Sequence, residues 1–124
     1  MNVVDSSGWL EYFANGPNAD FFAPALEDED ELLVPVICLY EVFKRLWQQR
    51  GREDALLGVS HLYRGEVVPI HDEIALLGAQ LSLEHNLSLA DSLIYAIAHT
   101  YNAILWTQDA HFVGLGNVQY IARR

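Results

Sequence analysis

The stretch Asn86–Phe112, NLSLADSLIYAIAHTYNAILWTQDAHF, decides the fold. Ser88 precedes Asp91 by three residues, ahead of the apolar run Leu93-Ile94-Tyr95-Ala96-Ile97-Ala98. A capping hydroxyl answered by an acid three positions on is a helix-start signature. Asn102 breaks that helix, and Ala103-Ile104-Leu105-Trp106 follows as a short, wholly apolar run. Such a run is the pattern of a strand buried on both faces of a parallel sheet. It leads into Thr107-Gln108-Asp109, and open α/β sheets place their ligands at the carboxyl ends of such strands. Asp91 and Asp109 are therefore expected to share a crevice.

Toward the start of the chain the same layout recurs. Asn2-Val3-Val4-Asp5 reads as a strand ending in an acid, with Ser6 or Ser7 capping a helix that carries Trp9, Leu10 and Phe13. Asn15-Gly16-Pro17 stops that helix, and another runs from about Ala19 into the acidic run Glu27–Glu31. Leu32-Leu33-Val34, closed by Pro35, is a second strand, followed by a long helix from Val36 to about Gln49. Arg52–Tyr63 reads as a helix with Leu56, Leu57, Val59, Leu62 and Tyr63 as its apolar set. Glu66–Ile70 is a third strand, which Pro69 places at an edge. Asp72 is expected to cap the helix bearing Ile74, Leu77 and Leu81, and Gly116–Ile121 is a last, weak strand. Strands separated by helices imply crossovers and a parallel sheet covered on both faces. The expectation is a single α/β domain over 1–124: a three-layer α/β/α sandwich with a mostly parallel sheet of about five strands. The second and fourth strands should flank the first.

Composition narrows the classes. With 124 residues and 52% apolar content the chain is long enough for one core and too apolar for a disordered segment. The longest apolar run, Leu32–Tyr40, is nine residues and contains Pro35, too short for a membrane span. The opening Met1-Asn2-Val3-Val4-Asp5 lacks a basic n-region, so no secretory signal is expected. The lone Cys38 lies in an apolar run as a buried hydrophobe, which fits a reducing cytoplasm. A net charge of −10 opposes general binding to nucleic acid, yet Lys44, Arg45, Arg50 and Arg52 form one local basic patch.

Four acids stand at positions that can meet: Asp5 and Asp109 after strands, Glu41 and Asp91 early in helices. Two such carboxylates ~4 Å apart repel by about 4 kcal/mol at an effective dielectric of ~20, so the cluster persists mainly when it holds a cation. Oxygen ligands without clustered Cys or His select Mg²⁺ or Mn²⁺ over Zn²⁺. Each acid also has a local use: Asp91 in a capping box, Glu41 paired with Arg45, Asp5 in a turn, Asp109 capping the turn after it.

The motifs Val3-Val4-Asp5-Ser6-Ser7, Tyr40-Glu41-Val42, Leu89-Ala90-Asp91-Ser92-Leu93-Ile94-Tyr95-Ala96 and Leu105-Trp106-Thr107-Gln108-Asp109-Ala110-His111-Phe112 together resemble the PIN-domain ribonucleases, particularly VapC-type toxins of toxin–antitoxin pairs. The resemblance covers essentially the whole chain. It implies Asp5, Glu41, Asp91 and Asp109 as the metal-site and catalytic acids, with Ser7 and Thr107 as the supporting hydroxyls. Many members carry Asp or Asn where this chain has His111. That residue can shift preference toward Mn²⁺, reach an RNA phosphate, or serve as packing or an outer-shell contact, the last two being favoured here.

What the resemblance implies is hydrolysis of an RNA phosphodiester with one or two Mg²⁺ or Mn²⁺ ions, and no separate general base is evident. Lys44, Arg45, Arg50 and Arg52 are the candidate phosphate contacts. A tRNA or ribosomal RNA loop as substrate, a VapB-like antitoxin as partner and a homodimer are implied in the same way, with Trp9, Tyr12, Phe13 and Trp47 available for core or interface. The alternative is a PIN-like module that binds RNA or protein without cutting. A phosphorelay receiver would need adjacent acids after the first strand and a late Lys, and a haloacid-dehalogenase-like phosphatase a second acid at Ser7. Neither pattern is present.

Overall fold

The computed structural model describes residues 1–124, with β1 (Asn2–Val4), β2 (Leu32–Pro35), β3 (Glu66–Val68), β4 (Ile104–Thr107) and β5 (Val118–Tyr120) in one sheet. The strand order is β3-β2-β1-β4-β5 and every pairing is parallel. Six helices cover it: α1 (Ser6–Phe13), α2 (Ala19–Glu27), α3 (Val36–Arg50), α4 (Arg52–Leu62), α5 (Asp72–His85) and α6 (Leu89–Thr100). The expected three-layer sandwich is therefore present, with β2 and β4 flanking β1 and β3 at an edge. No helix is long and apolar enough to cross a membrane.

From β1 the chain steps outward through β2 and β3, then returns to β4 on the other side of β1. The reversal lies between β1 and β4, where doubly wound sheets open a crevice at the carboxyl ends of their strands. Val3, Val4, Leu33, Val34 and Leu105 are fully buried at the sheet centre, with Phe22, Ile94, Ile97 and Phe112 packed around them. Left-handed asparagines end two helices on cue: Asn86 (φ 55°) closes α5, and Asn102 (φ 51°) turns the chain after α6 into β4.

Several local expectations are corrected. Asp5, not Ser6 or Ser7, caps α1: its backbone is extended and its carboxylate accepts from the Gly8 amide. His71 holds the cap position of α5, and Asp72 is already helical, so its charge meets the helix dipole instead. The third strand ends at Val68, because Pro69 offers no amide to the ladder. The fourth runs through Thr107, and Ile104 at its start is 38% exposed, so burial on both faces holds only deeper in the strand. In α4 the buried positions are Ala55, Gly58 and Leu62, while Leu56, Leu57 and Tyr63 face outward. Leu46 of α3 occupies the space that a side chain at Gly58 would need, so the smallest residues mark the seam between these helices.

Candidate active site

Asp5 leaves β1 and begins α1 directly beneath the crevice. A Cβ at Gly8 would meet Val4 Cγ1 at 2.6 Å and Phe22 Cε1 at 2.7 Å, so glycine is what lets α1 start this close to the sheet. Asp5 Oδ1 accepts from Ser7 Oγ and from the Gly8 amide, both at 2.9 Å, and Oδ2 accepts from Thr107 Oγ1 at 2.6 Å. The residue is 3% exposed. Burial pushes its pKa above the usual carboxylate value and the Asp109 charge adds to that, while the three hydrogen bonds oppose it. Thr107 Oγ1 also accepts from the Asp109 amide at 2.9 Å, so one hydroxyl links the acids at the ends of β1 and β4.

Asp91 stands in the first turn of α6. The Ser88 hydroxyl accepts from its backbone amide at 3.3 Å, but the reciprocal half of a capping box is not made. The Asp91 carboxyl instead converges on Asp109, and its pKa is raised to about 7. Burial contributes most to that rise, followed by the neighbouring Asp109 carboxyl, with the Ser88 hydroxyl opposing it.

Asp109 caps a 3₁₀ turn over Ala110–Phe112, its Oδ1 accepting from the His111 amide at 2.9 Å. His111 Nδ1 lies 2.9 Å from the same oxygen, and the His111 side chain is 72% exposed. Packing is thus excluded for His111; it is an exposed neighbour of an acid. Asp91, Asp109 and His111 each present one ligand atom, all within 4.8 Å of one another. Two hard carboxylate oxygens and one imidazole fit Mg²⁺ or Mn²⁺, with the imidazole favouring Mn²⁺. Burial, and after it the Asp109 charge, disfavours the ionised Asp91 carboxylate, and a cation at the site would offset the second of these.

Glu41 reaches the crevice from the second turn of α3. It makes no pair with Arg45; its Oε1 accepts from Ser6 Oγ at 2.7 Å, tying α3 to the first residue of α1. All four acids, with Ser7, line one cavity of about 380 Å³. Lys44 and Arg45 stand on its wall; Arg50 and Arg52 do not. Arg50 lies nine residues beyond Glu41, about half a turn round the helix at 100° per residue. It reaches the Phe13 carbonyl at 3.5 Å, and Arg52 lies over the Trp47 ring.

Sequence reading missed Ser6, Gln108 and Asn18. Buried Asn18 donates to Gln108 Oε1 at 2.9 Å and to the Ala122 carbonyl at 3.0 Å, bracing the loop that carries Asp109. An amide in a polar loop ordinarily reads as exposed, so nothing in the sequence signals this pair. The interface candidates divide as well: Trp9 is core at 2% exposed, Tyr12 and Phe13 are half-buried, and Trp47 is exposed.

The sequence profile of the PIN domain matches residues 3–117. No curated protein is significantly similar in sequence. Among solved structures, a toxin–antitoxin complex from Klebsiella pneumoniae is 21% identical, with a TM-score of 0.79 and 96% of each chain covered. VapC20 from Mycobacterium tuberculosis, a sarcin–ricin loop cleaving toxin, is 14% identical with a TM-score of 0.77, covering 94% of this chain and 95% of that one. FitAcB from Neisseria gonorrhoeae is 18% identical with a TM-score of 0.72, covering 98% and 96%.

Proposed function

This chain belongs to the PIN-domain family, and from that premise we propose that it is a metal-dependent endoribonuclease of the VapC toxin type, with Asp5, Glu41, Asp91 and Asp109 as its working acids. One observation carries the reading: Asp91, Asp109 and His111, from two separate elements, converge within 4.8 Å. Structural neighbours described as toxin–antitoxin complexes support the toxin assignment.

Asp91 and Asp109 would hold the ion, with His111 as a direct or outer contact. When bound, Mg²⁺ or Mn²⁺ supplies a water of lowered pKa and neutralises charge at the leaving oxygen. Asp5 acts from beneath: buried and fixed by Ser7, Gly8 and Thr107, it holds Asp109 through the shared hydroxyl and adds negative field under the crevice. Glu41, steadied by Ser6, sets the opposite wall, and a cation held by Asp91 and Asp109 would favour the ionised Asp91 that burial disfavours. Lys44 and Arg45, on the crevice wall, take flanking phosphates. An RNA loop as substrate, a VapB-like antitoxin and a homodimeric state complete the reading; the crevice suits an antitoxin Arg or Lys offered to the acids.

A non-catalytic RNA- or protein-binding module is the second reading. Both oxygens of Asp5 already accept hydrogen bonds from the protein, as a structural acid would.

The experiment is cleavage of total tRNA and ribosomal RNA by partner-free protein in Mg²⁺, Mn²⁺ and EDTA, with Asp91→Asn as the control for contaminating nuclease. Discrete fragments that require both metal and Asp91 support the enzyme. Silence in every metal from folded protein moves the assignment to the binding module.

A further inference from the structure

We propose that Tyr40, Phe43 and Trp47, a stripe along α3, form a platform on which an unpaired RNA base stacks beside the acidic crevice. The inference rests on the nuclease reading for what the neighbouring crevice holds. Tyr40 is 60% exposed and Trp47 48%, so both rings are open to solvent along one stripe of the helix. The stripe forms a groove of about 340 Å³, and Tyr40, Lys44 and Gln48 line both this groove and the acidic crevice. The two are continuous.

The rings are held ready. Phe43 packs partly against the core and meets Trp47 edge-on, with centroids 5.4 Å apart and planes at 76°. Lys44 Nζ lies 5.5 Å from the Tyr40 centroid, and the Arg52 guanidinium 5.8 Å from that of Trp47. Neither cation has a carboxylate within 4.0 Å, nor has Arg45. Lys44, Arg45 and Arg52 are three of only seven basic residues in a chain of net charge −10, so positive charge is concentrated beside these rings.

That combination suits a single strand of nucleic acid. Ring faces take bases, and adjacent cations take the phosphates between them. The alternative fits less well. A basic peptide would meet Lys44 and Arg52 on the rings themselves.

The test is fluorescence anisotropy with labelled oligouridylate and oligoadenylate of ~10 nucleotides in EDTA, so that binding is read without cleavage. Tyr40→Ala and Trp47→Ala should each weaken binding about 5- to 140-fold, the loss that removing one stacked base produces. Tyr40→Phe and Trp47→Phe should keep most of the affinity, because the ring face remains. Alanine variants that bind like the wild type overturn the platform. So does a wild type that binds neither strand, and if sedimentation then shows Trp47→Ala dissociating a dimer, the stripe is a subunit contact. Stacking losses in a protein that cleaves nothing in Mg²⁺ or Mn²⁺ uphold the platform and remove the enzyme reading alone.

Discussion

Thr107 and Asp5 are joined by a 2.6 Å hydrogen bond between residues 102 positions apart, from the end of β4 to the end of β1. The hydroxyl donates its one proton to Asp5 while accepting from the Asp109 amide, which leaves a single free lone pair. Thr107→Val should leave a buried carboxylate short of one donor, costing about 1–3 kcal/mol in chemical denaturation. Asp5 should then titrate higher still. Thr107→Ser, which keeps the hydroxyl, should recover most of the loss; equal damage from both variants would mean that the methyl group matters instead.

Asp5→Asn separates a chemical role from a scaffold role. The new amide can still cap α1 and can donate to the free lone pair of Thr107 Oγ1, while one buried charge disappears. Stability in EDTA should therefore stay within about 1 kcal/mol of wild type, and Asp5→Ala should lose about 2–3 kcal/mol. RNA cleavage should be lost in both. Strong destabilisation by Asp5→Asn would make the acid structural and remove it from the proposed site.

Asp91 supplies the pH dependence. Its folded pKa, raised to about 7 from 3.8, favours the folded state while the group is protonated. That stability is complete below pH ~4 and is lost as pH rises through ~7. Metal-free protein should accordingly melt lower at pH 8 than at pH 5, and Asp91→Asn should remove most of that difference. After discounting for partial exposure the effect should be about 1–2 kcal/mol. Calorimetry of Mn²⁺ binding in buffers of different ionisation enthalpy should show proton release at pH 6 and almost none at pH 9. Release that is the same at both would exclude Asp91 as the displaced group.

His111 is exposed and its polar contacts are with Asp109, so His111→Ala should change the melting temperature little. It should weaken Mn²⁺ binding by about 10- to 100-fold, the usual effect of losing an outer contact of a metal ligand. Unchanged Mn²⁺ affinity would leave His111 without a part in the site.

The basic residues should divide by helix face. Lys44→Ala and Arg45→Ala should each lower RNA affinity and reduce the slope of its salt dependence by roughly one ion per contact. Arg50→Ala, on the far side of α3, should do neither; a loss equal to that of Arg45→Ala would mean that RNA wraps the helix.

What the sequence alone determined is the frame: an alternation of short apolar strands and helices, and acids placed where parallel strands end and the following helices begin. Strand ends in such a sheet share one edge, so Asp5 and Asp109 had to be neighbours once β1 and β4 were adjacent. Helical periodicity already put Arg50 about half a turn round the helix from Glu41, although its closeness in sequence to Arg45 suggested one patch. Tertiary structure decided the rest. Whether Glu41 met Arg45 or Ser6, whether Asp5 or a serine capped α1, and whether Asp91 turned to its own helix or to Asp109 were choices among partners of similar local merit. Packing resolved them, because burial raises the cost of an unpartnered polar atom far above the small local preferences a sequence displays.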